Sequence, residues 1–282
     1  MGHYLGGEVQ VAVERVIVTT TKREHAPAVA RAREVAARCG LPFVPRTDSL
    51  PRLLRRVGAD AAYVVSLRGA ELRRFTEGAE GGGKLAVHAG TLHMVLQHGR
   101  EHPLIQAVCP GDEPPPERVV DATLGLAKDA LHVATVLGCP VTGLERVRLL
   151  CCLAEDGLAQ LAREDRPWSA GARRVEVVEA DAAVWLAAQP TASADVVFLD
   201  PMFPRPRPAA AGFELLRAVA WPAPLSPALL REATRVARRV VLKVPAGDPA
   251  DAHSPDARAW TRRVSGTQLD YLVAERGGGP SR

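Results

Sequence analysis

Aromatic residues are scarce in this chain: Trp, Tyr and Phe make up 4% of its 282 residues, so a ring in a loop stands out. Cysteine is scarce as well. The five cysteines, at 39, 109, 139, 151 and 152, are odd in number and form no C-x-x-C pair, which argues against a disulfide scaffold in a chain this long. Cys151 and Cys152 fall in an amphipathic helical pattern, where a thiol serves as a small buried hydrophobe. No stretch approaches the ~20 apolar residues that span a bilayer. The opening MGHYLGGEVQVAVERV has neither a basic segment nor an apolar block of the secretory kind. These absences predict a cytoplasmic protein with no membrane partner. Hydrophobic residues at 47% and charged residues at 24% are ordinary globular values.

The net charge of +4 is unevenly spread: residues 1–100 carry 15 Lys plus Arg against 9 Asp plus Glu, and the remainder 21 against 23. A basic first third favours a polyanionic partner there. The run Pro110-Gly111-Asp112-Glu113-Pro114-Pro115-Pro116 removes backbone donors and enforces extended geometry. It predicts a boundary between a small basic α/β domain, residues 1–110, and a larger domain, residues 111–282. In the first, strands are expected at 16–20, 43–44, 62–66 and 85–88, with helices at 25–39 and 50–57. Residues 78–84 (GAEGGGK) read as a flexible linker.

In the second domain, strand-length apolar runs at 119–122, 141–144, 175–178, 196–199 and 240–244 are separated by enough chain for crossover helices. Leu126, Ala130, Val133, Ala134 and Leu137 share one helical face, as do Val147, Leu150, Cys151, Ala154, Leu158 and Leu161. Ser226-Pro227 is an N-cap with a first-turn proline. The repeating βα pattern specifies a doubly wound, mostly parallel α/β sheet. Runs near 259–264 and 269–275 predict a terminal hairpin through Ser265-Gly266-Thr267-Gln268.

Ligands of such sheets bind beyond the carboxyl ends of the strands. Acids stand at four successive strand ends: Asp121, Glu145, Asp181 and Asp200. The loop after Asp121 carries Thr123 and a single glycine, Gly125, before Lys128 and Asp129. A dinucleotide site would want G-x-G-x-x-G, so that bare backbone meets phosphate. Carboxylates instead suit a nucleoside with cationic groups, and S-adenosylmethionine, with its sulfonium and ammonium, fits. Glu145, 24 residues after Asp121, is placed to accept from ribose hydroxyls. In Asp200-Pro201-Met202-Phe203-Pro204, the carboxylate can accept from an exocyclic amine and Phe203 offers a face to a flat base. Such stacking is worth ~1 to 3 kcal/mol per base.

The segments VVDATLGLAKDA, GLER and VVFLDPMFPRPRPAA resemble the RsmJ-type methyltransferases over residues 119–274. That resemblance implies a Rossmann-like class I methyltransferase fold, S-adenosyl-L-methionine as cofactor, and methyl transfer to the exocyclic N2 amine of a guanine in 16S rRNA. The partner it implies is ribosomal RNA or the small ribosomal subunit. It places Lys128 and Asp129 by the methionyl end of the donor and Glu145 with Arg146 by its ribose. Asp181 and Ala182 fall by the adenine, Asp200 between donor and amine, and Phe203 against the base. Arg205, Arg207 and the basic first domain would hold RNA phosphates. Ala127 stands where that family usually has glycine, and Arg205 and Arg207 stand where it usually has lysines. An amino-methyltransferase acting on DNA, protein or a small molecule, and a catalytically silent RNA-binding relative, are the alternatives. His88, His93, His98 and His102, spaced five, five and four apart, match no common zinc pattern, so no metal is expected.

Overall fold

The computed structural model describes residues 13–21, 26–75, 83–87, 89–90, 92–202, 211–220, 225–253 and 260–276. The chain forms two compact units. In the first, β1 (Val16–Thr20), α1 (Ala26–Cys39), α2 (Leu50–Val57), β2 (Ala61–Val65), β3 (Ala70–Arg74) and β4 (Lys84–Leu85) follow in order. The sheet order is β1-β2-β3-β4, with β1 and β2 parallel and the later pairs antiparallel. β1 and β2 are buried along their length, the polar Thr19 and Thr20 at the end of β1 included. On one side Ile17, Ala62 and Val64 meet Leu50, Leu53 and Leu54 of α2. The run at 43–44 contributes a single bridge, Val18 to Phe43, and the Arg33 guanidinium lies 4.6 Å from the centre of the Phe43 ring. β3 was not expected, because the charges of AELRR mask a strand with one buried residue, Leu72.

The second unit opens with α3 (Leu92–Leu96) and α4 (Pro103–Val108), then runs through β5 (Val119–Asp121), α5 (Lys128–Leu137), β6 (Val141–Glu145), α6 (Arg148–Leu161), α7 (Ser169–Ala172), β7 (Val175–Glu179), α8 (Ala182–Ala187) and β8 (Ala194–Leu199). A helix at Ala211–Val219, α9, belongs to the first unit, where it packs on β4. α10 (Pro227–Val236), β9 (Ala237–Pro245), β10 (Arg262–Ser265) and β11 (Leu269–Glu275) complete the second. Its sheet has the order β10-β11-β9-β8-β5-β6-β7, parallel except at β11, which pairs antiparallel with β9 and β10. The doubly wound architecture and the terminal hairpin are therefore as the sequence predicts. Ser226 caps α10 by accepting from the Leu229 N–H at 3.0 Å. Cys151 is a buried free thiol in α6, as expected, whereas Cys152, equally buried there, is disulfide-bonded, which corrects the reading of both as plain thiols.

The unit boundary falls at Leu85, not at the proline run, which corrects the division at residue 110. The reason is core packing: Leu104, Ile105, Ala107 and Val108 of α4 share a core with Val119, Val196 and Val241. The segment before β5 is tied down as well. Arg100 donates to the carbonyls of Gly111 and Glu113, and Arg239 to the carboxylate of Glu113. Extended proline backbone here is a fixed connector inside the second unit.

Period-two alternation divides the strands between two cores. Val120, Val197, Leu199, Val240, Leu242 and Val244 face α8 and α10. Val119, Val196, Phe198, Val241 and Tyr271 face α4 and α5. No helix among the described residues is long and apolar enough to cross a membrane.

Candidate functional site

The chain leaves β5 toward β6 and β7 on one side, and later fills β8 and β9 on the other. The order reverses at β5, and its carboxyl end is the switch point of the sheet. Asp121, one residue pair on from Val119, lies on the face that packs against α5. Asp200 continues Val196 and Phe198 on that same face, and Lys243 continues Val241. Strand alternation thus carries one core face upward into a cluster of charged side chains.

The cluster is tightly bonded. Asp121 is 2% exposed and its Oδ1 accepts from the Thr123 N–H at 3.0 Å. The Thr123 hydroxyl oxygen in turn accepts from the Asp200 backbone N–H at 2.6 Å, linking the ends of β5 and β8. Asp129, in the first turn of α5, and Asp200 share one ammonium: Lys243 Nζ lies 2.7 Å from Asp129 Oδ2 and 2.8 Å from Asp200 Oδ2. Burial pushes the Asp121 carboxyl up to about 8, with Asp129 and Asp200 adding to the shift. Asp200 is likewise pushed up by burial, to about 6, although Lys243 pulls it down. For Asp129 burial opposes the charge, but Lys243 outweighs it and holds the carboxyl below its ordinary value. Lys243 is itself held strongly protonated by the two carboxylates against the cost of burial.

The loop from β5 to α5 is shaped for close approach. Gly125 has φ +53° and Ala127 has φ +57°, a left-handed conformation that disfavours a Cβ. Ala127 holds it while fully buried. The Gly125 N–H donates to Glu145 Oε2 at 3.1 Å, while Glu145 Oε1 accepts from the Val147 N–H at 2.8 Å. Each oxygen keeps acceptor capacity for a further donor. Burial raises the Glu145 carboxyl above its usual range, against these backbone hydrogen bonds. At the end of β7, Asp181 Oδ1 caps α8 by accepting from the Ala183 and Val184 N–H groups. Asp181 Oδ2 receives Arg146 at 2.9 Å.

Of the expected residues, Asp121, Thr123, Asp129 and Asp200 form one bonded cluster, Gly125 and Glu145 a second link, and Arg146 with Asp181 a third. All are in the second unit. Lys128 opens α5 with its side chain exposed, and Ala182 opens α8. Phe203, Arg205 and Arg207 lie outside the described residues, as do His88 and residues 78–82 of the glycine-rich segment. His93 is exposed. His98 lies near His102, their ring centres 6.2 Å apart, and His102 approaches a residue not grouped with them, His132 of α5: the His102 and His132 rings meet edge to face at 4.5 Å. Burial, then His102, lowers His132 to about 4. Among the described residues, no three His, Cys, Asp or Glu side chains are grouped to hold a metal ion.

Lys243 is the residue missed from sequence. Its signal was a lysine in VVLKV, a run otherwise made for the core. The donor set suits S-adenosylmethionine: buried carboxylates around a narrow turn attract cationic groups and would repel a pyrophosphate.

A family model described as "Putative SAM-dependent methyltransferase" matches residues 62–264. Ribosomal RNA small subunit methyltransferase J of Laribacter hongkongensis is 53% identical over 87 residues, 31% of this chain and 30% of that protein. The protein of the same name from Nitrosococcus oceani is 33% identical over 228 residues, covering 76% of this chain and 83% of its own length. The match therefore spans less than a third of the first relative and most of the second. The crystal structure of a SAM-dependent methyltransferase from Neisseria gonorrhoeae has a TM-score of 0.63 at 22% identity, covering 94% of this chain and 97% of that one, and so shares the fold. Carboxylates at the switch point, this fold and these matches agree on one conclusion: the chain belongs to the SAM-dependent methyltransferase family that includes the ribosomal RNA small subunit methyltransferases J, and its cofactor is S-adenosylmethionine.

Proposed function

We propose that the protein methylates the exocyclic N2 amine of a guanine in 16S ribosomal RNA. The observation that carries this reading is the place of Asp200: a carboxylate at the switch point, opening DPMF, its backbone pinned by Thr123. The names of the relatives support the RNA acceptor. When bound, S-adenosylmethionine supplies a methyl group on a cationic sulfur, open to in-line displacement by an amine nitrogen.

Glu145 accepts from the ribose hydroxyls of the donor, with Arg146 beside it. Asp181 and Ala182 border the adenine, and Lys128 and Asp129 the methionyl end. Asp121 supports Thr123 from below and adds negative charge beneath a cationic ligand. Asp200 accepts a hydrogen bond from the target amine, aligns it, and stabilises the positive charge that grows on nitrogen as the new bond forms. Neither reactant needs covalent activation, so positioning supplies most of the rate. Phe203 stacks on the base. Arg205, Arg207 and the basic first unit hold phosphates, the contacts that orient RNA without reading its sequence.

Asp200→Ala tests the assignment. Methyl transfer into small-subunit ribosomal RNA is expected to vanish, while calorimetry still registers donor binding. Full activity of the variant rejects it. Mass mapping of that RNA from cells with and without the gene should show one methylated guanine disappear, and unchanged RNA would overturn the acceptor.

A further inference from the structure

We propose that Lys243 is a positioning residue for methyl transfer: its ammonium ties the first turn of α5 to the end of β8, holding Asp129 toward the donor and leaving Asp200 one fixed oxygen for the acceptor amine. The inference rests on the function proposed above and adds a residue to it.

The position is costly without such a role. Lys243 lies in β9 between Leu242 and Val244, both fully buried, and its own side chain is 13% exposed. Replacing a buried ion pair by apolar side chains of similar volume is often neutral or stabilising, so folding alone gives little reason for a lysine here. A cation at a helix N-terminus is also opposed by the helix dipole. The geometry explains what is gained. β8 and β9 run in register through Leu199 and Leu242, so the next step along both strands sets Asp200 level with Lys243. Tyr271 is the register partner of Lys243 on β11, on the same face of the sheet. From there the ammonium reaches both carboxylates. In each case it is Oδ2 that the ammonium holds. Asp200 is thereby fixed twice, through its N–H by Thr123 and through Oδ2 by Lys243.

The groups acting on Asp200 or Lys243 are Asp121 from β5, Asp129 and His132 from α5, His102 ahead of α4, and Tyr271 from β11, while Lys128 acts on Asp129. Lys243 is the strongest influence keeping Asp200 ionised. Without it, two carboxylates no more than two hydrogen bonds apart repel one another, and one takes up a proton. A protonated Asp200 accepts poorly from an amine. Loss of Lys243 therefore moves the acid limb of kcat to higher pH, whereas donor binding persists because Asp129 loses a competitor for the donor's cation.

The test uses Lys243→Met and Lys243→Gln in the full chain, with Lys243→Arg as the conservative variant and small-subunit ribosomal RNA as acceptor. At pH 7 the Met and Gln variants should lose about 100-fold in kcat, the scale of a misplaced reacting group. Donor affinity by calorimetry should fall by less than about threefold, the acid limb should rise by about one pH unit or more, and Arg should recover part of the rate. A kcat loss uniform across pH, with an unmoved limb, overturns the proposal in favour of a structural role. Carbon-13 titration of the Asp200 carboxyl in wild type and Lys243→Met decides without turnover: a higher midpoint in the variant supports the proposal, and an unchanged one overturns it. Wild-type protein that binds donor but is idle on this RNA counts against the acceptor, and the carboxyl titration still judges the lysine.

Discussion

Asp121→Asn isolates the electrostatic cost of the site. In the folded chain burial pushes the Asp121 carboxyl up to about 8, whereas in the unfolded chain it titrates near 4. The folded state therefore holds this proton more tightly. The resulting stability is fully present below about pH 4 and is lost as pH rises through about 8, with a slope approaching ~1.4 kcal/mol per pH unit between them. From pH 6 to pH 8 the loss amounts to about 2 kcal/mol, allowing for partial ionisation near the folded pKa. An asparagine keeps the side-chain oxygen that accepts from the Thr123 N–H and cannot titrate. Urea unfolding of both proteins across this range, read as the change in their stability difference, measures the effect. The variant should gain about 2 kcal/mol relative to wild type on going from pH 6 to pH 8. A difference that stays constant over the range would falsify the claim that Asp121 is carried largely protonated in the ligand-free site.

Three further outcomes follow from the same geometry. A cationic donor bound above Asp121 draws its pKa down, so binding near pH 7.5 should release protons. The calorimetric enthalpy should then differ between phosphate and Tris buffers, and a buffer-independent enthalpy would contradict this. Gly143→Ala sets a Cβ 2.3 Å from Leu124 Cδ1, beneath the turn that carries Thr123 and Gly125. It should cost about 1 to 3 kcal/mol by overpacking and weaken donor binding, as calorimetry would register. Gly171→Ala meets the backbone of Thr135 at 2.8 Å where α7 packs on α5, and backbone cannot rotate aside. Its loss of stability should reach about 3 kcal/mol, and denaturant melts would show a tolerated alanine if the packing were loose.

The larger unit was legible because its strands are short apolar runs and its helices carry one apolar face. The strand-end acids could be found once the sheet was known to be doubly wound. What sequence could not supply was register. Lys243 is 43 residues from Asp200 and 114 from Asp129; pairing of β8 with β9 brings it level with Asp200, and the packing of α5 brings Asp129 to both. The same holds for His102 and His132, whose contact depends on α4 packing near α5. At the unit boundary the error had a different source. Prolines state that the backbone is extended and short of donors, but not which core lies on either side. The burial of α4 decided that. β3 was hidden because a strand with one buried side chain presents charge rather than alternation.

The charge balance explains why one sheet end takes a sulfonium donor and not a dinucleotide. Asp121, Asp129 and Asp200 face a single ammonium, so the cluster retains negative charge even with one carboxyl protonated. S-adenosylmethionine, with two cationic groups against one carboxylate, brings a net positive charge and offsets both the burial that raises Asp121 and the repulsion that Asp129 and Asp200 add to it. A pyrophosphate would deepen it, and the loop has Ala127 where a phosphate-binding turn would expose bare backbone. The excess of acid over base at the strand ends therefore acts as selection, since the ligand that lowers the site's electrostatic cost is the one that carries the methyl group.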